Sequence, residues 1–350
     1  MNANNKRVPQ RLIREGQYGV SSPSMMRFIV FLTQIIPIIS TIFGVYLAFN
    51  VGIGIMEVTL FLVMHIFAFI GVEPGLHRYF CHKSFKAKEP LSVTLAIAGS
   101  TLVLGPVPYW VMHHRKHHSH SDMEKDPHSP KHGLFHAHMG WLYSKETVES
   151  SLNTARYYQI VDDIYRFSGS SRVISAFNYY YLWILLSILI PAIVGGLWMG
   201  SWFGFLQGML WGGLIRIFVG QHTVWAVNSL CHTVGHNKFE AKDGSLNGPY
   251  FILLLLIGLS TIVYLCSPNN IRVPLTAVFS FTFLLSTWSG WWHNNHHAFP
   301  SAAYQQFYWW QIDPLGWFIL LCKKLGLAYD LNIPSKKDIK KSLASDSDLH

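Results

Sequence analysis

The sequence predicts an all-α integral membrane protein, with four core transmembrane helices in two hairpins and a cytosolic helical cap. Half of its 350 residues are hydrophobic and only 13% are charged, whereas a soluble domain carries about a quarter charged residues. Its mean hydropathy is +0.25. Several apolar runs also approach the roughly 20 residues that a helix needs to cross a bilayer.

The first predicted element is an N-terminal arm over residues 1–27. It carries several basic residues ahead of a long apolar run, without the short apolar core and small-residue cleavage site of a signal peptide. We therefore expect a cytosolic arm before a first membrane helix. The runs Phe28–Asn50 and Met56–Val72 predict the first hairpin, with VGIG as its turn.

The next apolar run, Leu91–Trp110, is interrupted by glycines and prolines and predicts a buried or interfacial segment. Tyr181–Met199 and Phe203–Gly220 predict the second hairpin. Neither hairpin turn contains Lys or Arg, while basic residues are frequent in the arm, near the histidine clusters and in the tail. By the positive-inside rule, both termini and the histidine clusters face the cytoplasm.

Two further apolar runs, Pro249–Ser267 and Val273–Trp292, leave two alternatives. Either they form an extra hairpin, or both lie within the protein without crossing. In both cases the number of crossings between His232 and His293 must be even if these histidines share a site. No Gly/Ser-rich or Pro-rich linker divides the chain, so residues 28–335 form one predicted domain and 336–350 a polar tail.

The net charge of +9 raises nucleic-acid binding as an alternative. The basic residues flank apolar runs instead of forming a separate basic face, so membrane flanks explain them better and nucleic acid is not an expected partner. The four cysteines are scattered without a CxxC pair, which predicts reduced thiols.

The nineteen histidines carry the functional signal because many fall into spaced motifs. These are HRYFCH at 77–82, HRKHH at 114–118, NSLCH at 228–232 and HNNHH at 293–297. Residues i, i+3 and i+4 share one face of a helix, so each HxxHH cluster can converge on a point. The spacing of five in 77–82 fits an α-helix poorly and predicts that the helix end unwinds.

The four motifs hold nine histidines, too many for one tetrahedral zinc and suitable for two metals with five-coordinate shells. Imidazole suits iron, copper, nickel and zinc, and a redox role would exclude zinc. We interpret His65 and His350 as unrelated to the site, and the remaining histidines as candidates that orient ligands by hydrogen bonds. The predicted metal ligands are His77, His82, His114, His117, His118, His232, His293, His296 and His297.

Together these motifs resemble the membrane fatty-acyl Δ9 desaturases, the stearoyl-CoA desaturase group and its bacterial and cyanobacterial acyl-lipid relatives. That family shows HxxxxH, WxxxHRxHH, WxVNSxxH and HNxHH. The chain matches them at His77–His82, at Trp110 with 114–118, at Trp225 with His232, and at His293–His297. Residues 126–128 and 133–141 resemble further segments of the family.

The resemblance implies a fatty-acyl desaturase that uses O2, two electrons and two irons to form a cis double bond, with Δ9 as the expected position. Asn228 would position a water, and Trp110 and Trp225 would belong to the acyl tunnel. An unactivated C–H bond has no acidic proton, so a cofactor must supply the difficult chemistry. The resemblance assigns one iron to His77, His82, His114, His118 and His296, and the other to His117, His232, His293 and His297.

The chain departs from the family at several places. GPVP at 105–108 replaces the polar turn before WxxxHRxHH, and Lys131-His132 replaces an arginine pair. The polar turn contacts the CoA headgroup in the animal enzymes, and with both departures CoA, a glycerolipid and a carrier protein all remain as acyl carriers. No haem-binding motif is present in the tail, which predicts an external ferredoxin-like or cytochrome b5-like electron donor.

Two other functions compete with this prediction. A di-iron alkyl or acyl hydroxylase could use the same kind of histidine site, although the NxxxH motif favours a desaturase. A metal transporter would require ionisable residues lining a path through the spans. The spans contain only Glu57, His65, Arg216 and His222, which do not form one.

Overall fold

The computed structural model describes residues 20, 22–152, 162–164, 167, 170–248 and 250–343. Helices dominate these residues, and the sheet among them is a two-stranded antiparallel pair of β1 (Lys86–Ala87) with β2 (Ala328–Tyr329). The predicted all-α class is confirmed. Most of the predicted arm and residues 344–350 of the tail lie outside the described residues.

Both predicted membrane hairpins are present. Helix α1 (Pro23–Val51) is followed by α2 (Ile55–Cys81), and α8 (Tyr180–Met199) by α9 (Trp202–Leu230). Gly52 and Gly200 occupy the turns with φ of +89° and +60°, a conformation that costs glycine little. The second helix of each hairpin, α2 or α9, continues beyond its predicted apolar run and carries its polar residues into the cap.

A third hairpin answers the question left open for residues 249–292. Helices α10 (Tyr250–Cys266) and α11 (Arg272–Thr287) pack against each other. The backbone N–H of Ile53, in the turn of the first hairpin, donates to the carbonyl of Cys266 at 2.9 Å. The turn after α10 therefore lies at the same end of the bundle as the first hairpin turn. With 17 residues, α10 is about 25 Å long, close to the hydrocarbon thickness.

The outer faces of these helices are apolar and exposed. Phe31 and Ile42 on α1, Leu197 on α8, Leu254 on α10 and Phe281 on α11 are all about half exposed or more. Exposed apolar surface on this scale indicates lipid contact. Five helical stretches are long and apolar enough to span a bilayer. The protein is therefore a multi-pass membrane protein.

Shorter elements form the cap at the end opposite the hairpin turns. Helix α3 is too short to cross and packs on α2, where a Cβ on Gly71 would lie only 2.0 Å from the backbone nitrogen of Gly99. The predicted buried segment at 91–110 is thus a helix, a turn and the start of α4. The cap elements are α3 (Glu89–Ser100), α4 (Val107–His120), α5 (Leu134–His138), α6 (Lys145–Leu152), α7 (Ser171–Asn178), α12 (His293–Ala298), α13 (Pro314–Lys324) and α14 (Lys336–Lys341).

A buried ion pair fixes the C-terminal segment against α2. The Arg78 guanidinium donates to both carboxylate oxygens of Asp313 at 2.9 and 3.0 Å, and both side chains are buried. Asp313 also caps α13 by accepting from Gly316, and it accepts from the Ser289 hydroxyl. Because α11 and α12 lie between Arg78 and Asp313 in sequence, this ion pair holds the last histidine motif, residues 293–297, beside α2.

Candidate metal centre

The end of α2 widens instead of unwinding. Residues Gly71–Cys81 form a π-helix, in which backbone hydrogen bonds run from i to i+5. The amide of His82 accordingly donates to the carbonyl of His77 at 3.1 Å. The prediction of an unwound end was wrong because a π-helix brings residues five apart onto one face. The two imidazole rings lie 5.0 Å apart between centroids.

Helix α4 divides the three histidines of its HRKHH motif between two directions, so this motif does not converge on one point as its spacing predicted. His114 and His118 are four residues apart and lie on the same face, with Nε2 atoms 3.1 Å apart. His117 is rotated by about 100° from His118, and its Nε2 points to His297 at 3.4 Å. Helix α4 therefore contributes to two adjacent clusters.

The remaining histidines come from α12 and from the turn after α9. His293 Nε2 lies 2.9 Å from His232 Nε2, and His296 Nε2 lies 2.9 Å from His77 Nε2 and 2.8 Å from His118 Nε2. Within each cluster the facing atoms lie within 4.8 Å of one another. The first cluster comprises His77, His82, His114, His118 and His296, and the second comprises His117, His232, His293 and His297.

Carboxylates hold the opposite ring nitrogens of four of these histidines. The Nδ1 atoms of His77, His117, His232 and His297 lie 2.7–3.1 Å from carboxylate oxygens. A carboxylate accepts, so each Nδ1 carries the hydrogen and each Nε2 presents its lone pair to the cluster. The pairs are His77 with Glu73, His117 with Asp126, His232 with Asp122, and His297 with Asp243.

Burial keeps the α4 imidazoles neutral. It lowers the pKa of His114, His117 and His118 well below the usual value, and the neighbouring imidazoles lower it further. Burial alone would raise the pKa of Asp122, but the hydrogen bond that it accepts from His232 holds that pKa below its usual range. Neutral imidazoles beside ionised carboxylates are the protonation states that metal binding requires.

This donor set fits a pair of metal ions. Two nitrogens bound at about 2.1 Å and at right angles lie about 3 Å apart, which matches the Nε2 separations within the clusters. Lone pairs brought this close repel one another unless a cation lies between them. The donors are all imidazoles, which suit iron, copper or zinc better than magnesium or calcium.

Two adjoining cavities with mostly apolar walls, here together named the channel, lie beside the first cluster. One cavity extends toward α1 and is lined by Val30 and Leu104, and a second extends toward Phe69 and Ile252. They share four wall residues, which border both cavities. The shared residues are Trp110, His114, Val224 and Asn228.

The predicted tunnel residues both line this channel. Trp110 stacks on His114, with ring centroids 4.6 Å apart. Trp225 lines the first cavity and touches the rings of His138 and His222 at 6.0 and 5.3 Å.

Other histidines lie outside the two clusters. His65 is buried among Phe61, Phe69 and Phe283. Among the histidines expected to orient ligands, His128 does contact a cluster member, with its ring 4.3 Å from that of His117. His138 and His222 instead bond to each other at 2.9 Å.

The sequence interpretation missed the carboxylates. Glu73 offered a signal, since it precedes His77 by one helical turn, and Asp126 belongs to a segment already noted for its resemblance. Asp122 and Asp243 lie in loops without any spacing signal. The two loops are linked by the Gly244 amide, next to Asp243, which donates to the Asp122 carboxylate at 2.7 Å.

Comparison with known proteins agrees with this architecture. Residues 53–315 match the model of the fatty acid desaturase family. The chain is 36% identical over 323 residues to a hex-5-enoyl-[acyl-carrier protein] acetylenase of Moorena producens (strain JHB), covering 88% of this chain and 87% of that protein. It is 29% identical over 281 residues to an acyl-CoA 5-desaturase of Anemone leveillei (80% and 72% covered). It is 28% identical over 276 residues to delta-9 acyl-lipid desaturase 1 of Arabidopsis thaliana (79% and 75% covered).

The family match begins after α1 and spans both histidine clusters, the second helix of the first hairpin and the whole of the second and third hairpins. The four predicted motifs lie within it. The chain therefore belongs to the fatty acid desaturase family and is an oxidoreductase that acts on acyl chains.

Proposed function

We propose that the protein forms a cis double bond in a saturated fatty-acyl chain, with Δ9 as the proposed position, using O2 and two electrons. The observation that carries this proposal is the convergence of two imidazole clusters beside two adjoining, mostly apolar cavities, which we propose join at Trp110 and Val224 into one passage for the acyl chain. The channel suits an acyl chain, and the clusters suit two redox metals. The proposed ligands are the nine histidines of the two clusters, five for one iron and four for the other.

Iron is proposed because the reaction needs a redox metal with nitrogen ligands, and zinc has no redox chemistry. When bound, the iron pair supplies the oxidising power that removes two hydrogens from an unactivated methylene pair. The carboxylates Glu73, Asp122, Asp126 and Asp243 fix the tautomers of their histidines, so that the ligand geometry exists before the substrate enters.

The protein's remaining contribution is positioning and exclusion of water. Trp110 and Val224 narrow the channel beside His114, so the methylenes at this constriction are the ones presented for oxidation. Asn228 lies one helical turn before His232 and lines both cavities, and we propose that it holds an ordered water beside the second cluster. The apolar walls exclude other water from the reacting carbons.

Electrons come from an external ferredoxin-like or cytochrome b5-like donor in this proposal, with both termini and the active site in the cytoplasm. Thiol labelling tests this orientation, since all four native cysteines are buried and unpaired. We expect Lys145→Cys, in the cap, to react with an impermeant maleimide only after the membrane is opened. Trp202 lies at the start of α9, beside a hairpin turn, and is 84% exposed. Trp202→Cys should therefore react in intact cells. The reverse pattern would contradict the orientation.

The enzymatic test is expression in a host without its own desaturase, supplied with saturated acids of several lengths. Gas chromatography with mass spectrometry should show a cis-monoenoic product whose formation requires O2. A His117→Ala variant, inserted in the membrane to the same level, is the inactive control. A metal-loaded enzyme that yields no new double bond from any chain would refute the proposal. A hydroxylated product would favour the hydroxylase alternative.

One comparison favours a second candidate. The relative from Moorena producens is named an acetylenase that acts on a hex-5-enoyl chain. We therefore include the removal of two hydrogens from an existing double bond, which gives a triple bond, as the second candidate function. Supplying monounsaturated acids to the same host separates the two, because only this activity yields an alkyne.

A further inference from the structure

Another cavity, remote from the histidine clusters, lies between the three hairpin turns and is here named the turn cavity. It is open to the surface, has a volume of about 560 Å³ and is lined by residues of all three hairpins, among them Gly54, Met199 and Pro268. The turns lie at the end of the bundle opposite the cap. The turn cavity therefore opens at the membrane surface that is farther from the cap.

Three buried polar side chains line the turn cavity without a complete set of partners. The Glu57 carboxylate accepts from the Gly54 amide through Oε2 at 2.9 Å and forms no ion pair among the described residues. Gln207 Oε1 and Ser267 Oγ have no hydrogen-bond partner in the described part of the chain. All three side chains are more than nine-tenths buried. A buried carboxylate without a cation is costly, and an ionisable residue within a membrane span indicates a function.

Helix packing brings these side chains to a similar depth. Helices α2 and α9 both run from the turns toward the cap, and a Cβ on Gly212 would lie 3.2 Å from the Leu60 Cβ. Glu57 lies three residues before Leu60, about 4.5 Å nearer the turns. Gln207 lies five residues before Gly212, about 7.5 Å nearer the turns. The third turn bonds to the first turn, which brings Ser267 to the same end.

These three acceptors select a cation that donates hydrogen bonds. A primary ammonium carries three N–H donors and one positive charge, which matches a carboxylate, an amide oxygen and a hydroxyl. The wall also contains Trp198 and Phe203, whose aromatic rings attract an organic cation. A quaternary ammonium could use the carboxylate and the rings, but it has no N–H for the two oxygens that lack a partner.

A guanidinium beside the turn cavity supplies the opposite charge. Arg272 follows the third turn directly, whereas the first two turns contain no Lys or Arg. Its Nε and Nη2 donate to the Ser267 carbonyl at 3.2 Å each, and the guanidinium lies over the ring of Tyr264. Among the residues that the structure describes, it has no carboxylate partner. It is therefore available to an anion that lies close to the ammonium.

The rim of the turn cavity is apolar and exposed. Val51, Ile55 and Trp198 are each more than half exposed and belong to helices whose outer faces contact lipid. The complementary ligand thus has a primary ammonium, an anion a few bonds away and an apolar part beyond it.

We propose that the turn cavity binds the phosphoethanolamine headgroup of a phospholipid in the leaflet opposite the cap. The ammonium donates to Glu57, Gln207 and Ser267, and the phosphate accepts from Arg272. Two methylenes separate the ammonium from the nearest phosphate ester oxygen, so one headgroup reaches both charges. The bound lipid joins the three hairpins and stabilises the fold, without taking part in the reaction at the other end of the bundle.

The test compares two lipids that differ only in the ammonium. The full-length, metal-loaded protein is delipidated in detergent and titrated with phosphatidylethanolamine or with phosphatidylcholine of identical acyl chains. Native mass spectrometry gives the affinity, and thermal unfolding gives the stabilisation. We expect phosphatidylethanolamine to bind at least about tenfold more tightly, because it alone donates N–H bonds to a carboxylate. Equal affinities would overturn the proposal.

Two variants assign the charges. Glu57→Gln keeps the acceptor for the Gly54 amide but removes the charge, so the preference should fall below about threefold. Arg272→Gln should weaken both lipids by about tenfold, because both carry the phosphate. Glu149→Gln, an exposed position in the cap, is the matched control and should keep the full preference. The melting temperature without lipid shows that each variant is folded. An undiminished preference in Glu57→Gln would contradict the assignment.

Two further ligands separate the other occupants of the turn cavity. Glycerophosphoethanolamine has the headgroup without the acyl chains and should compete at least about 100-fold more weakly than the lipid. Equal competition would reassign the cavity to a soluble amine and overturn the lipid source. A melting temperature that rises with calcium and not with phosphatidylethanolamine would identify a metal site and overturn the proposal.

Discussion

Asp243→Asn tests whether a loop carboxylate controls the second histidine cluster. One oxygen of Asp243 accepts from His297 Nδ1 at 2.7 Å, and the other accepts from the Ser245 amide at 3.1 Å. An asparagine has only one acceptor oxygen. If that oxygen keeps the Ser245 bond, the amide NH2 faces His297 and requires Nδ1 to accept. The ring hydrogen then moves to Nε2, which can no longer bind a metal.

The expected magnitude follows from the loss of this orienting partner. Such changes lower metal affinity by about 10- to 100-fold, or about 1.4–2.7 kcal/mol. The effect should fall on one metal, because the histidine with which Asp243 forms its hydrogen bond, His297, belongs to the second cluster, and Asp243 also lies near His232 of that cluster. The first cluster has its own carboxylate, Glu73, which lies 3.0 Å from His77.

The assay is a chelator titration of the purified protein, followed by elemental analysis of the metal retained per chain. We expect the variant to lose one of its two metals at 10- to 100-fold less chelator than the wild type, and to lose activity in parallel. Asp330→Asn, an exposed partner of Lys86 away from the clusters, is the control. Retention of both metals at wild-type affinity, or their simultaneous loss, would refute the reasoning.

Four further predictions follow from the same structure. His117→Ala removes a proposed ligand and should lower activity more than 100-fold while membrane insertion is unchanged, as measured by product analysis and membrane fractionation; retained activity would exclude it as a ligand. His65→Phe replaces a buried ring whose nitrogens have no partner among the described residues, so activity should change less than twofold and the melting temperature should not fall; an inactive variant would contradict this. Metal removal should lower the melting temperature and re-addition should restore it, because imidazole lone pairs are left facing one another; an unchanged melting temperature would contradict this. Gly71→Ala should destabilise by about 1–3 kcal/mol in chemical denaturation, because its Cβ meets the Gly99 backbone at 2.0 Å; wild-type stability would show that the α2–α3 contact can separate.

The sequence by itself determined the local features of this protein. An apolar run long enough to span a bilayer forms a helix whatever its neighbours, since its backbone groups have no other partner in lipid. Both predicted hairpins could therefore be placed from residues 28–220. The HxxHH spacing is equally local, because one helical turn alone brings 114, 117 and 118 to the same end of α4.

Tertiary structure decided what local spacing does not encode. The five-residue step from His77 to His82 is accommodated by a π-helix, which α2 adopts where it packs against α3. The carboxylate of Asp243 reaches the second cluster because the chain folds back between α9 and α10, and that of Asp122, in the loop after α4, meets His232 across 110 residues of sequence. The hairpin at 250–287 is fixed by the Ile53–Cys266 contact. Each feature depends on residues far apart in sequence, whose meeting is set by packing and burial.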